Sequence, residues 1–539
     1  MAKRGQRRPV TLIQGVPAFA GMTIAVKPNI LLICADQWRG DCVSALGHRN
    51  VRTPHLDALM KDSVTFRQHF GQCTPCGPSR TSLLTGMYLM NHRSGRNGTP
   101  LDERHTNLAL EARKLGYEPA LFGYTDTTPD PRRHHPNDPA LTAYDEGVLP
   151  GFAVPLHLPE DMGRWVSELI ALGYDVPKGR DDAFRPRKDF VKPADRGFRF
   201  IPTQHKAEHS ETAFLTDEFI KWLLVRRERP WFAHFVFFRP HPPIIAPEPY
   251  NANVHPKDVD FPERGASPEA EGAQHPLLRH EIANVARPNS YDEHNPLDLV
   301  RADELEIRQM KATYYGLIEE MDHHLGRVIA HLKESGQYER TLIIVTSDHA
   351  EMLGDHYVWG KEIYFDGSFH VPLVIRDPRP EARAHDGSQV TAFSEAIDIM
   401  PTILDWLGAE IPRSCDGRSL LPLLQGRRPE TWRDAVFFEH DFRNVRSQRV
   451  EQALGLTSDE CSYAVVRDDR YKYVHFAALP PLLFDLAKDP HEFTNIAGRA
   501  EHQAIELHYA RKLLSWRLLN QERVLTNMHV GAGGVFERK

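Results

Sequence analysis

The sequence predicts an α/β fold: a large doubly wound mixed sheet flanked by helices, followed by a smaller C-terminal antiparallel α+β domain. Three observations predict it. Short apolar runs recur along the first 400 or so residues and end in polar residues, stretches of helical spacing separate them, and beyond residue 427 short strands alternate with polar turns. The expected division is residues 1–27 as a disordered extension or upstream-annotated start, 28–427 as a catalytic α/β domain and 428–539 as an α+β subdomain.

Residues 29–35, Asn-Ile-Leu-Leu-Ile-Cys-Ala, form a continuous apolar run, the pattern of a strand buried on both faces. It ends in Asp36-Gln37. Residues 54–66 read as a helix with Leu56, Leu59 and Met60 on one face, and further helices are expected from Cys76 to Gly86 and over 105–115. A second strand at 120–122 leads into Gly123-Tyr124-Thr125-Asp126-Thr127. Residues 128–159, rich in Pro, Asp, Arg and His, read as loop. A helix over 211–226 precedes a third strand, 231–238, which ends in Arg239-Pro240-His241-Pro242-Pro243. The irregular stretch 244–296 is long enough to imply a lid, a specificity loop or an oligomer contact.

Residues 304–333 carry an amphipathic helix with Leu317, Ile318, Met321, Leu325, Val328, Ile329 and Leu332 inward. Its His323-His324 pair among Glu319, Glu320 and Asp322 reads as a solvated face rather than a metal site. The fourth strand, 341–346, ends in Ser347-Asp348-His349, and 371–375 is a fifth. In the C-terminal part, strands are expected at 435–439, 463–467, 471–475 and 483–486, with a closing helix over 501–519. Sites in open α/β sheets lie outside the carboxyl ends of the strands, where these polar residues gather.

A net charge of −7 offers no basic field for nucleic acid or anionic lipid. No apolar run reaches the length that spans a bilayer. Six cysteines in 539 residues make no disulfide framework, which fits a reducing, cytoplasmic compartment. Lys3, Arg4, Arg7 and Arg8 precede an apolar stretch broken by Gln14 and Pro17; a secretory signal is the alternative to an extension there.

The chemistry centres on Cys73-Thr74-Pro75-Cys76-Gly77-Pro78-Ser79-Arg80-Thr81-Ser82-Leu83-Leu84-Thr85-Gly86. Cys76 stands where a helix begins, with Pro78 in the first turn and free amides that favour an anionic oxygen. Cys73 and Cys76 also spell C-x-x-C, a redox pair or half a zinc site, but the other cysteines form no second pair. The stretch resembles the sulfatase-family maturation signature C-x-P-S-R-x-x-L-x-x-G, matched by Cys76, Pro78, Ser79, Arg80, Leu83 and Gly86. That resemblance implies a sulfatase/alkaline phosphatase-like fold and oxidation of Cys76 to formylglycine, whose hydrate acts as the nucleophile.

Asp36-Gln37 and Asp348-His349 each follow an inner strand. Either alone would be unremarkable, since an Asp there commonly caps the next helix. With Cys76 they offer two carboxylates, an amide oxygen, an imidazole and an oxygen nucleophile, a five-ligand set for one divalent metal ion.

A closer resemblance, to the bacterial phosphonate monoester hydrolase and phosphodiesterase branch of that family, rests on Asp36-Gln37-Trp38-Arg39, Tyr88-Leu89-Met90-Asn91-His92-Arg93, Thr128-Pro129-Asp130-Pro131-Arg132, Arg239-Pro240-His241-Pro242-Pro243 and Cys415-Asp416-Gly417-Arg418-Ser419-Leu420-Leu421-Pro422. It implies Asp36, Gln37, modified Cys76, Asp348 and His349 as metal ligands, and Asn97, Tyr124, His241 and Lys361 around the substrate anion and leaving group. Arg80 is expected to orient the hydrate. Gln37 and His349 carry less negative charge than the usual calcium-binding set of sulfatases, which favours manganese, with iron, zinc or calcium as alternatives.

The expected reaction is hydrolysis of phosphonate monoesters and phosphodiesters, with promiscuity toward sulfate and phosphate monoesters. Lys361 and Asn97 would stabilise charge on the equatorial oxygens, and His241 would protonate the leaving oxygen. Asp126 departs from the Thr expected two residues after Tyr124. An ionised carboxylate there would repel the anion unless it is protonated, turned toward Lys361 or Arg132, or replaced in its role by Thr125 or Thr127. The expected partners are a small anionic ester, a formylglycine-generating enzyme and further copies of the chain, a tetramer by resemblance. An arylsulfatase or other sulfuric ester hydrolase is the alternative, and a non-catalytic redox protein a third.

Overall fold

The computed structural model describes residues 27–142, 147–159, 161–285 and 298–538; the expected extension lies outside them except for Lys27. Asn29–Asp36 is the centre of an eight-stranded sheet, and every one of its residues is buried. It pairs in parallel with Phe232–Pro240 on one side and Thr341–Ser347 on the other. Pro119–Gly123 and then Ala153–His157 extend the first flank, also in parallel. On the second flank Leu373–Arg376 runs antiparallel to Thr341–Ser347, Val64–Phe66 pairs antiparallel with it, and Gln389–Val390 closes the edge. The sheet is mixed, as the sequence predicts. Glu304–Glu334 packs on it with its seven predicted apolar residues buried.

The smaller sheet runs antiparallel through Leu482–Asp485, Tyr471–Phe476, Ser462–Arg467 and Val436–Asp441. A fifth strand comes from far earlier in the chain. Cys73–Thr74 pairs in parallel with Val436–Asp441, placing Cys73 opposite Glu439 and Thr74 opposite His440. The C-terminal sheet thus holds the strand that leads directly into Cys76.

Four local expectations need correction. The helix starting at Pro54 stops at Met60, where Ser63 Oγ donates to the Leu59 carbonyl at 2.7 Å; Val64 and Thr65, β-branched, join the sheet instead. Ala153–His157 is a strand within the expected loop, an edge strand whose Val154 and Pro155 are exposed, so no apolar period marks it. Within 244–296, Pro268–Gly272 and Pro276–Val285 are helical.

The fourth correction is the histidine-acid cluster. Glu319, Glu320, Asp322 and His324 are buried rather than solvated. Asp322 accepts the His55 and Leu56 amides at 3.0 and 2.8 Å, capping Pro54–Met60, and Glu319 takes the Arg52 amide and Asn253 Nδ2. Those acids serve neighbouring backbone, a use that helical spacing alone does not reveal.

Candidate active site

Three adjacent parallel strands end together. Ala35 is in register with Ser347 and Asp36 with Pro240, so Asp36, Asp348-His349 and His241 emerge at one edge of the sheet. Tyr124 follows the next strand, Pro119–Gly123. Facing them, Cys76 is the first residue of helix Cys76–Thr85. Gly77 is required beside it, because a Cβ there would lie 2.6 Å from the Asp126 carbonyl and 3.1 Å from Asn97 Oδ1.

One ligand atom each from Asp36, Cys76, Asp348 and His349 lies within 4.8 Å of the others, and all four residues are buried. His349 Nε2 stands 3.2 Å from Cys76 Sγ and 3.6 Å from both Asp36 Oδ1 and Asp348 Oδ2. Its Nδ1 lies 3.1 Å from the Ala350 carbonyl; Nδ1–H donates there, which leaves the Nε2 lone pair inward. Burial first, then Lys361, hold this imidazole well below the usual histidine range. Gln37 adopts a left-handed φ of 71°. Its Nε2 donates to Glu351, so that Oε1 turns inward, 2.7 Å from Lys361 Nζ.

The donor set fits a divalent ion. Three buried carboxylates, Asp36, Asp348 and Asp126, share the site with Arg80 and Lys361, an excess of one negative charge when all are ionised. A neutral imidazole and an amide oxygen beside two carboxylates make a mixed nitrogen and oxygen donor set for one divalent ion.

Arg80, 1% exposed, organises those carboxylates. It donates from Nε to Asp348 Oδ2 at 2.9 Å, from Nη2 to Asp36 Oδ2 at 2.7 Å and from Nη1 to the Tyr124 carbonyl at 3.1 Å. The Tyr124 hydroxyl donates to the same Asp36 Oδ2 at 2.7 Å. Both side chains therefore sit on carboxylates of the candidate metal set: Arg80 touches them rather than Cys76, and Tyr124 reaches the site through Asp36.

Lys361 Nζ reaches Cys76 Sγ at 3.1 Å; burial opposes its charge, but Cys76, Asp36 and Asp348 together raise its pKa above the ordinary lysine range. Asn97, exposed, accepts the Gly77 amide at 2.8 Å through Oδ1. His241 is half-buried, with Nδ1 2.7 Å from the Pro242 carbonyl. Burial depresses it to about 3, opposed by Asp36 and assisted by Lys361. The expected proton donor is thus a neutral ring whose Nε2 presents a lone pair, and it can donate only after taking up a proton.

Asp126 has a left-handed φ of 54° and is buried with Oδ2 3.7 Å from Arg80 Nε. Burial pushes it up to about 7, with Arg80 opposing and Asp36 and Asp348 adding. Of the expected escapes, Arg132 is engaged by Asp130 and Asp102. Thr125 Oγ1 donates to the Gly147 carbonyl at 2.8 Å, and Thr127 Oγ1 lies 3.0 Å from Thr81 Oγ1. Asp126 turns to Arg80, a partner the sequence reading did not include.

Cys73 and Cys76 are both free and face different groups. Cys73 Sγ lies 3.3 Å from Ser82 Oγ, whereas Cys76 faces His349 and Lys361. Burial, reinforced by Asp36 and opposed by Lys361, holds the Cys76 thiol well above its ordinary range. Sequence reasoning missed Glu351 and Ser79 as supports. Glu351 accepts the Leu353 and Gly360 amides at 3.0 and 2.7 Å besides Gln37, and Ser79 Oγ donates to the Asp348 carbonyl. Their signal was proximity: Glu351 lies two residues past His349.

Residues 28–409 match the family model described as Sulfatase, and residues 354–518 match that of the N-sulphoglucosamine sulphohydrolase C-terminal region. The chain is 45% identical over 517 residues to the multifunctional alkaline phosphatase superfamily protein PehA of Trinickia caryophylli, covering 95% of this chain and 99% of that protein. It is similar to the crystal structure of phosphonate monoester hydrolase of Agrobacterium radiobacter, with TM-score 0.90, 47% identity and coverage of 95% and 100%. Phosphonate monoester hydrolase from Silicibacter pomeroyi gives TM-score 0.87 and 41% identity, with coverage of 95% and 99%.

Proposed function

The chain belongs to the sulfatase family, and from that premise we propose that it is a metal-dependent hydrolase of phosphonate monoesters and phosphodiesters, promiscuous toward sulfate and phosphate monoesters. The observation that carries the reading is the convergence of Cys76 Sγ, His349 Nε2 and the Asp36 and Asp348 carboxylates within 4.8 Å, on a chain similar over nearly its whole length to two phosphonate monoester hydrolases. Paired aryl phosphonate, diester and sulfate esters test it. A higher kcat/KM on the phosphorus esters supports the reading; a preference for sulfate supports the arylsulfatase alternative.

Asp36, Gln37, Asp348, His349 and modified Cys76 would hold one divalent ion, manganese being the first choice. Such an ion would supply Lewis-acid chemistry there, acidifying the nucleophile's hydroxyl and neutralising charge on the substrate. The formylglycine hydrate formed from Cys76 by a formylglycine-generating enzyme supplies an oxygen nucleophile that a buried thiol does not.

The remaining residues bind and orient. Lys361, beside Cys76 and Gln37, places positive charge on the equatorial oxygens of the ester. Asn97 orders the first turn of the nucleophile's helix through the Gly77 amide. Arg80 and Tyr124 hold Asp36 Oδ2 and leave Oδ1 facing Cys76, while Asp348 is fixed by Arg80 on Oδ2 and by the Gln37 and His349 amides on Oδ1. An incoming anion favours protonation of His241 at Nε2, from which the proton passes to the leaving oxygen.

The oligomer and compartment belong to the same reading. Among the described residues no helix is long and apolar enough to cross a membrane; a cytoplasmic location is the proposal. Both strands of the hairpin Met528–Gly531 and Gly534–Glu537 are exposed, as are Leu507, Leu514 and Leu518 on Gln503–Leu519. A lone two-stranded hairpin is marginal, so these surfaces are suited to further copies of the chain, in a tetramer. Light scattering on the intact chain and on one ending before Met528 checks this; a monomeric intact chain overturns it.

A further inference from the structure

Arg239 lies near the end of strand Phe232–Pro240, two residues before His241, and is only 1% exposed. A guanidinium removed from water needs a counter-charge and acceptors for its N–H groups. Glu211 supplies the charge, as the ion-pair partner of Arg239 Nε. It is buried too, and it is the first residue of helix Glu211–Leu224, where the helix dipole favours a carboxylate. The Phe184 and Phe238 rings lie against the guanidinium, with centroids 4.6 and 5.5 Å away.

The acceptors come from the turn that carries His241. Arg239 Nη1 donates to the His241 carbonyl at 3.0 Å and to the Pro243 carbonyl at 2.8 Å; the Ile245 amide also reaches the Pro243 carbonyl, at 2.9 Å. Neither Pro242 nor Pro243 has an N–H, so this turn is held through its carbonyls. Two of three successive carbonyls, those of residues 241 and 243, face Arg239. The one between them, on Pro242, lies 2.7 Å from His241 Nδ1, and the Phe238 ring packs 4.8 Å from the imidazole.

A carbonyl can only accept, so Nδ1 carries the proton and Nε2 the lone pair. The tautomer and orientation of the ring therefore depend on the direction of the Pro242 carbonyl. That direction is set by the two carbonyls beside it. A planar guanidinium with two N–H bonds on one nitrogen suits two acceptors at a fixed spacing, whereas an ammonium on a flexible stem does not.

We infer that Arg239, anchored by Glu211, is a positioning residue for His241: by drawing the 241 and 243 carbonyls to itself it leaves the Pro242 carbonyl to the imidazole, which fixes Nδ1–H and presents Nε2 for the leaving-group proton. The inference deepens the hydrolase reading and rests on its assignment of that proton to His241. Arg239 touches no reacting atom.

The test uses the matured, metal-loaded enzyme and two methylphosphonate monoesters, para-nitrophenyl and phenyl. Para-nitrophenolate leaves without a proton, whereas the more basic phenoxide needs one. Arg239→Lys keeps the charge beside Glu211 but not the paired donors. We expect it to lower kcat/KM for the phenyl ester about tenfold more than for the para-nitrophenyl ester, a part of the roughly 100- to 10,000-fold that a placed general acid supplies. His241→Ala should show the same selectivity more strongly, and adding Arg239→Lys to it should leave the ratio of the two esters unchanged. Glu211→Gln, which weakens the anchor, should shift the ratio in the same direction by less, and serves if Arg239→Lys does not fold. An equal loss on both esters from whichever variant folds, or a further change of ratio in the His241→Ala background, overturns the inference alone. Equal losses from His241→Ala overturn the proton-donor assignment and the inference with it. No turnover of either phosphonate, with para-nitrophenyl sulfate hydrolysed, overturns the phosphonate reading and the inference with it.

Discussion

The Tyr124 hydroxyl donates to Asp36 Oδ2 at 2.7 Å, the oxygen that Arg80 also holds at 2.7 Å. Two donors on one oxygen leave Oδ1 as the atom nearest Cys76 and His349. Tyr124→Phe is therefore expected to weaken metal retention by about 10-fold, the lower end of the range for such supporting contacts, with a smaller change in KM. Metal content after dialysis against graded chelator checks it. A raised KM at unchanged metal content would instead put Tyr124 in direct contact with substrate.

Glu351 directs Gln37. With its carboxylate holding Nε2, the amide presents Oε1 to the site; Glu351→Gln lets the amide turn over and removes that preference. The expected outcome is a loss of about 10-fold in metal affinity with the fold retained, read by metal titration alongside circular dichroism. Unchanged affinity would remove Gln37 from the ligand set.

Asp126 gives a pH dependence with a definite sign. Its carboxyl is raised to about 7 by burial, so it is neutral below that pH and charged above it. Charge there repels an anionic ester, and kcat/KM should fall as pH rises through about 7. Asp126→Asn keeps the neutral shape at all pH values and should flatten that limb. Identical limbs in the two proteins would show that Asp126 does not face the substrate.

Much of the site was legible because its residues sit at strand ends. Asp36, Asp348 and His241 each follow a largely apolar strand, and parallel register brings such ends together whatever the side chains do next. Cys76 was legible from its helix start. What escaped were contacts set by the tertiary fold. Nothing local says that Tyr124 points at Asp36, that Asp126 turns to Arg80, or that Cys73–Thr74 pairs with a strand more than 360 residues later. The helix expected over 54–66 failed because Val64 and Thr65 had a sheet edge to join. The acids near His323 read as solvated because helical spacing shows which residues share a face but not what covers it.

The central claim is that the hydrate of an aldehyde made from Cys76, held against Asp36, Asp348 and His349, is the nucleophile. It is tested by mass spectrometry of the Cys76 peptide from preparations matured to different extents, with kcat on an aryl phosphonate monoester measured on each. The account predicts an aldehyde in place of the Cys76 thiol and a kcat per chain proportional to the converted fraction. Full activity in a chain whose Cys76 is wholly unmodified would contradict it.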